Sequence, residues 1–186
     1  MGFLQLLLVC FCVLASCKSP GVDAELRFVP GEITVGIKKD YPINRIFEFI
    51  NSSGIVAESV YYSSYTSTFP SDSLQFIKNI LETKSYLIDG MGWGPGVELQ
   101  PLTNNILVSP KMFKMENTVN QVDWLETMRI LKLVEFWNQA GEAGSILRLR
   151  VPIGTENTWV ERFKKLSFIE WIERNESPMY IPVTSK

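Results

Sequence analysis

From Glu32 onward the chain alternates between two hydrophobic periods, each kept for a few residues and then broken by a turn residue. Period two buries one face of a strand and period 3.6 buries one stripe of a helix, so short runs of both call for sheet with helices packed on it. Ile33, Val35 and Ile37 alternate with Thr34 and Gly36, as in a half-buried strand. Asp40 and Pro42 then open a helix whose stripe is Ile43, Ile46, Phe47 and Ile50, and Gly54 closes it. The β-branched, Tyr-rich run from Ile55 to Phe69 holds two strands turning near Ser63 and Ser64. Ser71 or Ser73 caps a second helix striped by Leu74, Ile77 and Leu81, and Tyr86, Leu87 and Ile88 finish the unit as a short strand.

The same order recurs further on. Asn105 to Phe113 reads as a strand, followed by a helix with Trp124, Met128 and Leu131 on one face. Leu133 to Trp137 and Ser145 to Val151 read as strands separated by Gly141 and Gly144. Thr155 caps a last helix bearing Trp159, Phe163 and Leu166, and Phe168 to Ile172 closes the second unit. Phe69-Pro70, Phe76-Ile77 and Ser85-Tyr86 parallel Val151-Pro152, Trp159-Val160 and Ser167-Phe168, which suggests an internal duplication. The expected class is therefore α+β: two tandem ferredoxin-like (βαββαβ) modules, each an antiparallel sheet with its helices on one face. The expected boundaries are 1–16 for a leader, 17–24 for a tether, 25–88 and 105–175 for the modules, 89–104 for a linker and 176–186 for a tail.

The leader is read from Phe3 to Ala15, apolar except for Gln5 and too short to span a bilayer as a helix. It has the apolar core of a signal peptide, and Leu14-Ala15-Ser16-Cys17 follows it directly. These four residues resemble the lipobox of bacterial lipoproteins, although no Lys or Arg precedes the apolar run. The resemblance implies cleavage before Cys17, a diacylglycerol on its thiol with palmitate among its acyl chains, and an anchor in the cell envelope, the outer membrane ahead of the inner. Leu6 stands where myristoylation wants Ser or Thr, which removes that reading of Met1-Gly2. Cys10 and Cys12 lie inside the leader, so the mature chain holds no disulfide, and Lys18 to Gly21 read as a flexible tether. The sequons at Asn51 and Asn175 do not go with a lipobox.

The stretch Leu149 to Asn175, with Val151-Pro152, Gly154, Trp159-Val160, Phe163-Lys164-Lys165 and Ile169-Glu170-Trp171-Ile172-Glu173, resembles the closing half of the propeptide of subtilisin-type proteases. This resemblance covers about a third of the mature chain and implies a ferredoxin-like unit and an inhibitor or folding assistant. The whole chain is also similar to bacterial lipoproteins from which no activity carries over.

Histidine is absent, which excludes Ser-His-Asp and Cys-His catalysis and His-containing zinc sites. The 18 basic and 20 acidic residues are interspersed, so there is no phosphate-binding stripe and nucleic acid is not an expected partner. Asp89 to Asn105 is glycine-rich around Trp93; a linker is the better reading and an exposed contact residue the sharper one. Tyr62 and Tyr65, among Tyr61 and several Ser and Thr, have the composition of a binding surface, with a solvent-facing sheet edge favoured over it. Tyr180 in the tail is the remaining candidate contact. Trp124, Trp137, Trp159 and Trp171 sit on core stripes. Glu170 and Glu173 look like a catalytic pair, but nothing in the pattern buries them and surface charge is the better reading. The expectation is a non-catalytic, lipid-anchored binding module without metal or cofactor, taking a protein or envelope component. The alternatives are a protease inhibitor or folding assistant and, last, a carboxylate-dependent hydrolase.

Overall fold

In the computed structural model, which describes residues 27–136 and 144–177, the first strand and helix form where the pattern puts them. Strand β1 is Arg27–Ile37 and helix α1 is Ile43–Ser53, with Ile43, Ile46, Phe47 and Ile50 buried and Gly54 ending it in the left-handed conformation (φ 70°). Strands β2 (Val56–Tyr61) and β3 (Tyr65–Ser67) follow, then helix α2 (Leu74–Glu82), which buries Ile77 and Leu81. Strands β4 (Gly96–Leu99), β5 (Ile106–Ser109) and β6 (Met112–Phe113) precede helix α3 (Thr118–Ile130), whose first turn is capped by the Asn117 side chain. Strand β7 (Leu133–Glu135), strand β8 (Ile146–Arg150), helix α4 (Glu156–Phe163) and strand β9 (Ile169–Ser177) complete the described chain.

The class is α+β, with antiparallel sheets and four helices among the described residues, but the strands do not sort into consecutive modules. One sheet has the order β6-β2-β8-β1-β9 and the other β4-β5-β3-β7. Strand β8 lies between β1 and β2, antiparallel to both: Leu149 stands opposite Ile33 and Ala57, and Leu147 opposite Val35 and Val60. Strand β9 borders β1 on the other side. The Lys38 N–H donates to the Phe168 carbonyl at one end (2.9 Å) and the Asn175 amide to Glu32 at the other (2.6 Å), so these two strands are also antiparallel. The pieces β1-α1-β2 and β8-α4-β9 thus interleave in the strand order of a single ferredoxin-like unit. Residues 62–145 are inserted between its second and third strands and carry the second sheet.

This corrects the expectation of two modules at 25–88 and 105–175, since Phe28–Ser177 is one compact unit. Periodicity tells which face of a strand is buried and not which strand pairs with it. Each doubling of loop length costs only about 0.6 kcal/mol of closure entropy, so pairing β1 with β8 across the insertion is barely dearer than pairing it with a neighbour. Burial then decides: Ile33, Val35, Leu147 and Leu149 are all within 1% of full burial.

Three local expectations are also corrected. Ser85–Leu87 is a 3-10 turn and not a strand, though it buries Tyr86 and Leu87. The supposed linker 89–104 contains β4, which pairs with β5 through Val97 opposite Val108 and Leu99 opposite Ile106. The single strand expected over Asn105 to Phe113 is broken at Pro110, where β5 leaves the second sheet and β6 joins the first beside β2.

Helices α1 and α4 share one face of the first sheet. Phe49 of α1 meets Phe163 of α4 edge-on (5.5 Å between ring centroids), and Phe168 stacks on Tyr41 at 4.4 Å. The insertion is tied to α1 by two polar contacts: the Asn51 amide donates to Gln121 of α3 (2.8 Å), and Glu135 of β7 accepts the Ile43 N–H at the helix start (2.7 Å). Burial holds the Glu135 carboxyl above its usual range, offset in part by that N–H. A carboxyl raised on folding contributes stability present below its unfolded pKa and lost as pH climbs through the folded one. Glu135→Gln keeps an acceptor oxygen without the buried charge. Its urea midpoint is expected to match the parent in acid and exceed it at neutral pH; a variant weaker than the parent at neutral pH contradicts this account.

Candidate functional site

The glycine-rich segment is an ordered loop closed on one carboxylate. An oxygen of Asp89 accepts the N–H groups of Met91 (2.9 Å) and Trp93 (2.8 Å), while the Asp89 N–H donates to the Trp93 carbonyl (3.0 Å) and the Gly92 N–H to the Asp89 carbonyl (3.0 Å). Gly92 has φ +84°, a conformation that side-chain-bearing residues rarely adopt. Nothing in the structure explains glycine at 90 and 94, where an added Cβ meets open space. The loop turns two large apolar side chains outward: Met91 is 82% exposed and Trp93 72%. Single exposed apolar residues are ordinary, but two on one hydrogen-bonded loop are not scattered surface.

The other candidates divide. Tyr62 is 75% exposed with φ 61°, at the crossing from β2 into β3. The pairings Gly96 with Ser109 and Val108 with Tyr65 place Tyr62 and Trp93 at the same end of the second sheet. Tyr65 is corrected: it is 1% exposed, its ring packs edge-on to Trp124 (5.3 Å), and burial, reinforced by the Glu135 charge, pushes its phenol well above the ordinary range. It is core and not a contact residue. The sheet-edge reading of this cluster is corrected with it, because β2 lies between β6 and β8, and β3 between β5 and β7. Cys17, Tyr180 and Trp137 lie outside the described residues, as do the leader, the tether and most of the tail. Trp124 is fully buried and Trp159 packs against the core, as their stripes imply. Glu170 and Glu173 are both exposed on β9, and no group of three His, Cys, Asp or Glu among the described residues is placed to hold a metal ion.

Sequence reasoning passed over one polar cluster. Asp123 of α3 accepts from the Tyr86 hydroxyl (2.6 Å) and the Lys84 ammonium (2.9 Å), clamping the 3-10 turn to the helix. Burial pushes the Asp123 carboxyl up, but the hydrogen bonds from Tyr86 and Lys84 outweigh it and the net shift is downward. The Tyr86 phenol is pushed up by burial and then by Asp123. The group is satisfied within itself, so its evident task is structural. Only the tyrosine opening the apolar run Tyr86-Leu87-Ile88 hinted at it. Beside it, Val119 and Val122 of α3 line a shallow groove with Thr118 and Glu126.

No family model matches the chain, and no curated protein or solved structure matches it either.

Proposed function

We propose that the chain is a non-catalytic lipoprotein of a bacterial cell envelope, held to a membrane by a lipid on Cys17, whose folded part binds another protein or an envelope component. The observation that carries this reading is Leu14-Ala15-Ser16-Cys17 placed directly after an apolar run, with the folded unit beginning ten residues beyond Cys17 at Arg27. The absence of histidine from the sequence supports a binding role over acid-base or metal-assisted chemistry. The exposed aromatics Trp93 and Tyr62 support it as contact residues on ordered backbone. The test is fractionation: Cys17→Ser is expected to move the protein from the membrane to the soluble fraction. A Cys17→Ser chain that stays with the membrane contradicts the anchor.

A second reading, protease inhibition, is favoured by one specific observation. The segment resembling a protease propeptide runs from the end of β8 through α4 into β9, and β9 is an edge strand, from which an inhibitory tail can leave the sheet. Pro178 and Pro182 keep that tail from continuing as helix. The inhibition constant of the mature chain, and of one ending at Ser177, against subtilisin-like proteases decides it. Micromolar inhibition lost on truncation supports the second reading; no inhibition removes it.

A further inference from the structure

The loop between Asp89 and Pro95 has the chemistry of a membrane-surface contact. Four of its six N–H groups, those of Asp89, Met91, Gly92 and Trp93, donate within the loop, those of Gly90 and Gly94 do not, and Pro95 has none to donate. Satisfying backbone donors internally is the condition for peptide to leave water for a lipid environment, since each donor left unpaired there is costly. The residues Gly90 to Val97 include no ionisable side chain, and the one carboxylate, Asp89, is turned back onto the loop's own amides. What projects is Met91 and Trp93, and Trp is the side chain that favours the boundary between headgroups and acyl chains. The pair forms a convex knob on a small-residue loop. A protein-binding aromatic needs a matching pocket on its partner, whereas a bilayer surface accepts a knob without one.

The chain between the anchor and the fold sets the distance. Nine residues separate Cys17 from Arg27, and the ten steps between them span at most about 36 Å, which is comparable with the diameter of a domain this size. A fold held that close meets the bilayer as an intramolecular partner at high effective concentration, so a contact too weak to recruit a free protein suffices to orient an anchored one. Resting on the lipid anchor proposed above, we infer that Met91 and Trp93 enter the membrane surface and fix the orientation of the anchored fold.

The experiment uses the lipidated mature protein in phosphatidylcholine vesicles, with and without bromine on the acyl chains near the headgroup. Emission of a Trp93→Phe variant is subtracted from that of the parent, which isolates Trp93 from the other four tryptophans. The expected result is that the Trp93 component is quenched by the brominated lipid and lies at shorter wavelength than a water-exposed indole. A control tryptophan is placed by Leu102→Trp in the Trp93→Phe chain. Residue 102 is 98% exposed beyond the Leu99 and Ile106 pair, at the opposite end of the β4–β5 hairpin from Trp93, and its tryptophan is expected to be unquenched. A protein that floats with the vesicles but shows equal Trp93 emission in both lipids overturns the loop contact and leaves the anchor standing. Equal quenching at 93 and 102 overturns it as well, by showing no preferred orientation. A protein that fails to float overturns the anchor itself and this inference with it.

Discussion

Replacing Gly36 with alanine is expected to destabilise the protein by about 2–3 kcal/mol, because the added methyl has nowhere to go. A Cβ at position 36 would stand 2.3 Å from Nε1 and 2.4 Å from Cε2 of Trp171, whose ring lies flush on the glycine. Relief requires the ring to move off β1. Removing the ring in advance should therefore remove most of the penalty. Trp171→Ala alone costs what a half-buried indole contributes, and Gly36→Ala on that background should add well under 1 kcal/mol. The coupling, read from urea unfolding of the four chains, links residues 135 positions apart. Additive effects would show that β1 and β9 are not neighbours, and with that the interleaved sheet fails.

The second large effect is expected at Trp124, the largest fully buried side chain among the described residues, packed against Tyr65 in the insertion. Trp124→Ala should cost about 3–5 kcal/mol from lost burial and the cavity left behind. That is a large part of the roughly 5–15 kcal/mol by which domains of this kind are stable. Its form matters as much as its size. The buried residues of the insertion and of the interleaved sheet belong to one apolar cluster, running from Ile33 and Phe47 through Tyr65 and Trp124 to Leu149 and Phe163. The variant should accordingly unfold in one transition, with tryptophan emission and far-ultraviolet dichroism coincident. Two separated transitions, with only one of them shifted by the substitution, would restore the picture of two consecutive modules.

Where the sequence was legible, the signal was local. Ile43, Ile46, Phe47 and Ile50 stripe α1, Ile33, Val35 and Ile37 alternate along β1, and Leu147 and Leu149 do so along β8, each set buried as its period requires. The pairing of these strands carries no such signal, because β8 serves β1 and β2 equally well from either side. The second sheet was hidden by chemistry that periodicity misreads. In β3 the inward residues are Tyr65 and Ser67, and the buried Ser67 hydroxyl is satisfied by the Leu131 carbonyl (2.7 Å), so a polar-looking run is interior. In α3 the usual sorting is inverted in places: Gln121 and Thr127 are buried while Val119 and Val122 face solvent. Gln121 is accommodated by donating to the Met115 carbonyl (2.6 Å) and Thr127 by donating to the Asp123 carbonyl (2.7 Å). The β4 strand was lost in the glycines around it. Of the candidate contacts, Trp93 was visible because glycine neighbours leave a tryptophan little to pack against. Tyr65 was misplaced because three residues are too few to show which way a strand faces.

The mass of the mature N-terminus is the most direct test of the functional account. Protein extracted from membranes should begin at Cys17, and its N-terminal peptide should exceed the mass of the bare sequence by a thioether-linked diacylglycerol, with a further acyl group where the amino end is also modified. Base treatment, which cleaves the ester-linked chains and spares the thioether, should reduce that excess to the glyceryl group plus any amide-linked acyl chain. A membrane-derived N-terminal peptide carrying Cys17 as a free thiol would contradict the anchor, and the function proposed from it would fall.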